Sequence, residues 1–282
     1  MMNSTRSVTQ IIEPQYVIEG ADVLLRRSFG PRRENLFDPF LLFDHFAFND
    51  PIEGPIVGFP QHPHRGIETV TYILEGNVRH RDSLGNTGLI GPGDLQWMTS
   101  GRGILHEELP HRGPSGRVNG FQLWVNLPAA QKMDPPRYQD VLAGDVPIIE
   151  KDGAQVRLVA GEFDGQRGPV TEIAIKPLYM DVTLAAGASF DLLVPQGHAA
   201  YAYVFEGAGE FGRTQIEAVK MAVFGDGDRI QAKTDTGVRF LLMAGKPIGE
   251  PIVPYGPFVM NTQEEIKQVF EDIKNGTFAK GW

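Results

Sequence analysis

Residues Glu68-Thr69-Val70-Thr71-Tyr72-Ile73-Leu74-Glu75-Gly76 form a short β-branched and aromatic run closed by a glycine turn, and its ending returns later in the chain. Tyr72-Ile73-Leu74-Glu75-Gly76 is echoed by Tyr203-Val204-Phe205-Glu206-Gly207, an offset of 131 residues from 72 to 203. A second echo sets Gly91-Pro92-Gly93-Asp94 against Gly225-Asp226-Gly227-Asp228, an offset of 134 from 91 to 225. Two landmarks in the same order at nearly the same offset describe a duplicated β unit.

Outward from this run, 33 glycines and 21 prolines separate further short segments of alternating or β-branched residues, among them Gly120 to Leu127, Tyr179 to Leu184 and Val238 to Met243. Many short strands with turn signals between them predict an all-β sandwich, barrel or jelly roll. Helical periodicity is strong only near the end, where Thr262 and Glu265 form a Thr-x-x-Glu capping box before Ile266, Val269, Phe270 and Ile273 recur at helix spacing. That stripe is expected to face the core. Pro128, Pro135, Pro136 and Pro147 surround a bridge between the copies, so the expected domains are residues 1–140 and 141–282, the second carrying the helix.

Composition narrows the function classes. Of the 282 residues 41% are hydrophobic and 22% charged, ordinary for a globular protein, which excludes disorder, collagen and coiled coil. There is no cysteine, so disulfides, thiolate nucleophiles and Fe–S clusters are excluded, and only His, Asp and Glu remain as metal ligands. The net charge of −9, without a long Lys/Arg run, argues against direct nucleic-acid binding. The N-terminal MMNSTRSVTQIIEPQ has no signal-peptide apolar core, and the apolar runs are too short to span a bilayer. These features predict a soluble cytoplasmic protein without a membrane partner.

Five of the seven histidines, His62, His64, His80, His106 and His111, fall between positions 62 and 111. In a strand, residues i and i+2 project from one face, so His62 and His64 in QHPHRG can aim both imidazoles at one point. Pro63 between them places the segment at an edge or bulge. His106 and Glu108 in GILHEEL repeat the spacing, and two such pairs on neighbouring strands would bring three nitrogens and a carboxylate to one ion. His80 and His111 have no partner at strand spacing and are read as surface or supporting residues. Trp97, Met98, Phe121 and Trp124 flank the proposed strands, mostly as core, with room for one or two at an apolar mouth. Gly207-Ala208-Gly209-Glu210-Phe211-Gly212 fits a dinucleotide fingerprint, but no convincing helix follows and a hairpin turn accounts for it. A tight turn likewise accounts for the acidic Gly225 to Asp228.

His62 to Gly66 (HPHRG) with the run that follows, Gly91 to Glu108 (GPGDLQWMTSGRGILHEE), Leu36 to Phe46 (LFDPFLLFDHF) and Gly256 to Ile266 (GPFVMNTQEEI) resemble the pirin family across about residues 15–280. The resemblance implies a bicupin, two antiparallel jelly-roll β-barrels with a C-terminal helix, and one divalent metal in the first barrel. The implied ligands are His62, His64, His106 and Glu108. Fe(II) is the expected ion, with Mn, Co, Ni, Cu or Zn as alternatives. The general cupin pattern would recruit Glu68 instead, but its spacing fits less well, so Glu68 is read as a supporting residue ion-paired with Arg65. In the second copy the 131 offset sets Leu193 and Pro195 where His62 and His64 stand, and the count from the turn glycine lands on Phe240, so the ligands are lost there. The resemblance further implies quercetin 2,3-dioxygenase activity on a flavonol-like substrate, with Glu108 as ligand and catalytic base. The alternative is a non-enzymatic metal-binding regulator that acts through protein partners.

Overall fold

The structure, a computed structural model, describes residues 4–48 and 58–279. Among the described residues, apart from two short 3-10 turns and one α-helix, the regular elements are strands, joined in antiparallel ladders, as the all-β expectation requires. Contacts divide the chain into two compact units, residues 15–143 with 248–282 and residues 1–14 with 144–247. The division near 143 lies close to the expected boundary at 140, but the units are not contiguous halves, because strand pairing recruits each terminal segment to the other half. Val8–Ile12 hydrogen-bonds to Lys220–Phe224, and the helix Gln263–Lys274 packs on Phe258–Met260, in the unit that holds residues 15–143. The helix expected in the second domain therefore belongs with the histidine-rich barrel.

In that unit a seven-stranded sheet runs in the order Arg137–Val141, Leu95–Thr99, Ile67–Glu75, Val118–Asn126, Phe40–Phe48, Val23–Phe29, Gln15–Glu19. A four-stranded sheet runs Phe59–His64, Ile104–His111, Asn77–Asp82, Thr87–Ile90. Burial along Ile104–His111 and Asn77–Asp82 alternates residue by residue, so Val78, His80 and Asp82 lie inward opposite Pro110, Glu108 and His106. One core joins Leu25, Phe46, Ile73, Val78, Ile90 and Val118. In the other unit, Ala199–Phe211 is the long central strand, and Met180, Val182, Phe190, Phe211, Phe240 and Leu242 fill the core.

The first sequence echo is structural. Ile67–Glu75 lies between Leu95–Thr99 and Val118–Asn126, as Ala199–Phe211 lies between Lys220–Phe224 and Val238–Gly245. Gly76, in the bend after Ile67–Glu75, and Gly207, inside Ala199–Phe211, share a positive φ of +76° and +70°, and a Cβ at Gly207 would stand 2.2 Å from the Gly237 carbonyl oxygen. The second echo is not. Gly91 to Asp94 precedes Leu95–Thr99, whereas Gly225 to Asp228 follows Lys220–Phe224. The true counterpart of Gly227 is Gly103, both with φ of +141°. Register then follows: Leu105 faces Pro63 and His106 faces His62, while Arg229 faces Leu193 and Ile230 faces Leu192. The positions of His62, His64 and His106 are thus taken by Leu192, Val194 and Ile230, all in the apolar core, and not by Leu193, Pro195 and Phe240.

The capping box forms as expected: Thr262 accepts from the Glu265 amide at 3.2 Å, and Glu265 accepts from the Thr262 amide at 2.8 Å. Ile266 and Val269 are buried, but Phe270 and Ile273 are 42% and 43% exposed, so the apolar stripe is wider than the face it buries. Among the described residues no helix is long and apolar enough to cross a membrane.

Candidate metal centre

Phe59–His64 and Ile104–His111 pair antiparallel with His106 directly opposite His62. His64 lies two residues further along the same face. The ring centroids are 4.3 Å apart for His62 and His106, 4.9 Å for His62 and His64, and 5.0 Å for His64 and His106. One nitrogen from each ring falls within 4.8 Å of the other two. Pro63 sits between them on the edge strand of the four-stranded sheet, where its missing N–H costs no ladder bond.

Two of the rings are oriented by backbone carbonyls: His62 Nδ1 donates to Pro60 O at 2.9 Å, and His64 Nδ1 donates to Pro257 O at 3.2 Å. Each arrangement leaves Nε2 with its lone pair, since a neutral imidazole carries one N–H. His106 is 1% exposed, yet neither of its ring nitrogens has a hydrogen-bond partner. Burial pushes His64 and His106 well below the usual histidine range, and neighbouring histidines push the same way. Convergent imidazoles, one of them with orphaned buried nitrogens, are a donor set that fits a divalent ion.

Glu108 points inward two residues beyond His106, past a register shift in the pairing with Phe59–His64. Its carboxylate lies outside the group of three nitrogens. Oε1 accepts from Thr71 Oγ1 at 3.0 Å, and Gln122 Nε2 donates to Oε2 and Oε1 at 3.1 and 3.3 Å. Gln122 is itself fixed, because its Oε1 accepts from Trp124 Nε1 at 3.2 Å. Beside this carboxylate lies a small cavity of about 20 Å³ that opens to solvent, walled by Leu25, Phe46, Phe59, Val78 and Pro110 with Asp44, Thr71, Glu108 and Gln122. Of the flanking aromatics, Trp97 and Phe121 are core at 1% and 0% exposure, while Trp124 meets the His64 ring edge to face at 5.1 Å.

The remaining expectations divide. Glu68 does not pair with Arg65: it accepts from Thr99 Oγ1 at 2.7 Å, while Arg65 donates to Asp272 Oδ2 at 2.7 Å. His111 is exposed, as read. For His80, read as surface or supporting, burial fits the supporting alternative. This histidine is 1% exposed, 5.8 Å from the His106 ring and 4.7 Å from the Tyr138 ring, with Nε2 3.8 Å from Asp82 Oδ2. The Tyr138 hydroxyl is pushed up by burial, with Asp82 and Glu108 adding to the effect. His80-x-Asp82 carried the same i, i+2 spacing as the other pairs and was the signal available for this inner cluster.

The family model for Pirin matches residues 22–125, and that for the Pirin C-terminal cupin domain matches residues 179–279. The chain belongs to the pirin family. It is 43% identical over 275 residues to a Caulobacter vibrioides pirin-like protein, covering 97% of this chain and 99% of the relative. Identity to Homo sapiens pirin is 42% over 293 residues, covering 100% of this chain and 98% of the human protein. The crystal structure of a quercetin 2,3-dioxygenase from Acinetobacter baumannii superposes with a TM-score of 0.88 at 34% identity, covering 98% of this chain and 99% of that one. The fold is therefore a bicupin, in line with the pirin resemblance of the sequence.

Proposed function

We propose that this pirin-family chain is a metal-dependent dioxygenase that opens the ring of flavonols such as quercetin with O2, with His62, His64, His106 and Glu108 as its metal ligands. The observation that carries the reading is the orphaned pair of nitrogens on buried His106, one of three convergent imidazoles, next to a carboxylate in the wall of a largely apolar pocket. Likeness to the Acinetobacter quercetin 2,3-dioxygenase supports it. A divalent ion on the imidazoles, Fe(II) first and Mn, Co, Ni, Cu or Zn as alternatives, would supply Lewis acidity toward a chelating hydroxy-ketone and the redox chemistry of dioxygen.

The chain's own groups do the rest. Leu25, Phe46, Phe59, Val78 and Pro110 present apolar surface beside Glu108, against which the rings of a flavonol would pack. Glu108, steadied by Thr71 and Gln122, takes the proton of the flavonol 3-hydroxyl onto a carboxylate oxygen. Complete absence of cysteine suits a reducing cytoplasm, where we place the protein.

The test is metal analysis of protein from its native host, followed by oxygen uptake with quercetin after loading Fe, Mn, Co, Ni or Cu. Turnover with at least one ion supports the dioxygenase. A metal-replete protein inactive with all five refutes it and favours the second reading, a non-enzymatic regulator that binds protein partners. That reading draws on the exposed apolar side chains of Tyr255, Phe270 and Ile273, a surface suited to a protein partner.

A further inference from the structure

We propose that the C-terminal arm, residues 252–278, is a working part of the metal centre: it orients His64, with Arg65, Lys132 and Asp272 as positioning residues, so that metal loading and arm docking are coupled. The proposal rests on the metal-centre reading and goes beyond it. Pro257, from the arm, supplies the carbonyl that accepts from His64 Nδ1 at 3.2 Å. Without that bond the imidazole has two tautomers and a free ring torsion. With it, Nε2 is the nitrogen left for the ion.

The arm lies along the ligand hairpin at close range. Arg65 bridges to Phe258, and the Val259 amide donates to Arg65 O at 3.1 Å. At Gly66, φ is +82° and a Cβ would stand 2.3 Å from the Val259 oxygen, so only glycine admits this approach.

Two buried cations then span hairpin and arm. Lys132, 0% exposed, spends three ammonium protons on Gly66 O at 2.8 Å, Asn126 Oδ1 at 2.7 Å and Val259 O at 2.8 Å. Arg65, 2% exposed, pairs through Nη1 with Asp272 Oδ2 at 2.7 Å and lies 4.6 Å over the Phe278 ring. Beneath them Phe258, Met260, Ile266, Val269 and Phe278 bury one another, and Leu105, the neighbour of His106, packs against that cluster.

An arm needed only for stability would require the apolar cluster alone. The carbonyl on His64 and the cations that fix it make the arm's position a determinant of ligand geometry. By linkage the dependence runs both ways: if docking tightens metal binding by some factor, metal tightens docking by the same factor. Phe270 and Ile273, exposed on the helix, would then report metal occupancy at the surface.

The test uses the full chain with Co(II), whose visible bands report ligand geometry, titrated by competition against a chelator. Asp272 is 207 residues from Arg65 in sequence and its side chain is 20% exposed, so Asp272→Asn alters no residue of the ligand hairpin and acts on it through Arg65. Asp272→Asn should weaken Co(II) binding about tenfold or more, the usual worth of an outer hydrogen-bond partner, and shift the bands. Asp272→Glu should restore most of the affinity, and Glu264→Gln on the same helix should change nothing. Arg65→Lys, which loses the stacking on Phe278, is the second variant and should weaken binding in the same direction. Amide exchange across residues 263–274 should slow when the wild type takes up Co(II). Unchanged affinity and spectrum in Asp272→Asn, or identical exchange with and without Co(II), overturns the coupling while leaving the metal centre standing. A wild type that takes up no Co(II) overturns both.

Discussion

Glu108→Gln separates the base from the scaffold around it. The wild-type carboxylate accepts from Thr71 at 3.0 Å and from Gln122 at 3.1 and 3.3 Å. An amide in its place has one accepting and one donating end. Gln122 Nε2 can only donate, so the new oxygen must face it, and the new NH2 must face Thr71, whose hydroxyl can turn to accept. The Thr71 contact and the 3.1 Å Gln122 contact survive, the 3.3 Å one sets donor against donor and is lost, and charge-assisted bonds become neutral ones, a difference of about 1–2 kcal/mol in stability. The catalytic loss is larger, because an amide oxygen takes no proton at neutral pH. A positioned base is worth about a hundredfold, equal to roughly 2.7 kcal/mol of barrier. The assay is oxygen uptake with quercetin at matched metal occupancy. We expect kcat to fall a hundredfold or more while the folded protein melts within a few degrees of wild type. A Glu108→Gln enzyme as fast as wild type would refute the assigned base, whatever its stability.

Loss of one of three nitrogens removes a bond that no neighbouring group replaces, so His62→Ala and His106→Ala should abolish stoichiometric metal. His80→Ala, outside the trio, should still load one ion per chain; elemental analysis of the three variants decides. His45, 4% exposed and bonded to Asn119 at 2.9 Å, is held down to about 4 by burial. Between pH 6.5 and 4 the unfolded chain binds a proton that folded His45 refuses, so stability falls with falling pH by up to about 3 kcal/mol at 1.36 kcal/mol per unit. Urea midpoints against pH should show a shallower slope in His45→Gln than in wild type, and equal slopes would contradict the assignment. Thr262→Ala removes the helix cap and should cost about 1 kcal/mol in the same assay.

Local chemistry made much of this legible. The β-branched segments, the positive-φ glycines Gly76 and Gly207, and the Thr262 capping box each depend on neighbours within a few residues, and the structure keeps all three. The i, i+2 rule brought His62 and His64 to one face, and pairing with His106 completed the trio. What the sequence hid depends on register and on distant partners. The Gly225 to Asp228 echo resembled Gly91 to Asp94 in composition but leaves Lys220–Phe224, the counterpart of the strand Leu95–Thr99 that Gly91 to Asp94 enters, which misplaced the positions matching the histidines. Burial of His80 follows from the pairing of Asn77–Asp82 with Ile104–His111. Arg65 finds Asp272 on a helix 207 residues away, and a backbone carbonyl such as that of Pro257 has no side-chain signature at all.

The exchange of terminal segments sets an order of events during synthesis. The barrel that carries the histidines begins at residue 15, but its last hydrogen-bond partners for His64 and Arg65 come from residues 257 and 272. Chains emerge from the ribosome N-terminus first. Pro257, which accepts from His64, therefore arrives 193 residues (257 − 64) after His64 and 151 residues (257 − 106) after His106. An ion captured earlier would meet a half-built cage and leave again, so stable loading belongs to the finished chain, and a ribosome-stalled product ending near residue 250 should emerge metal-poor.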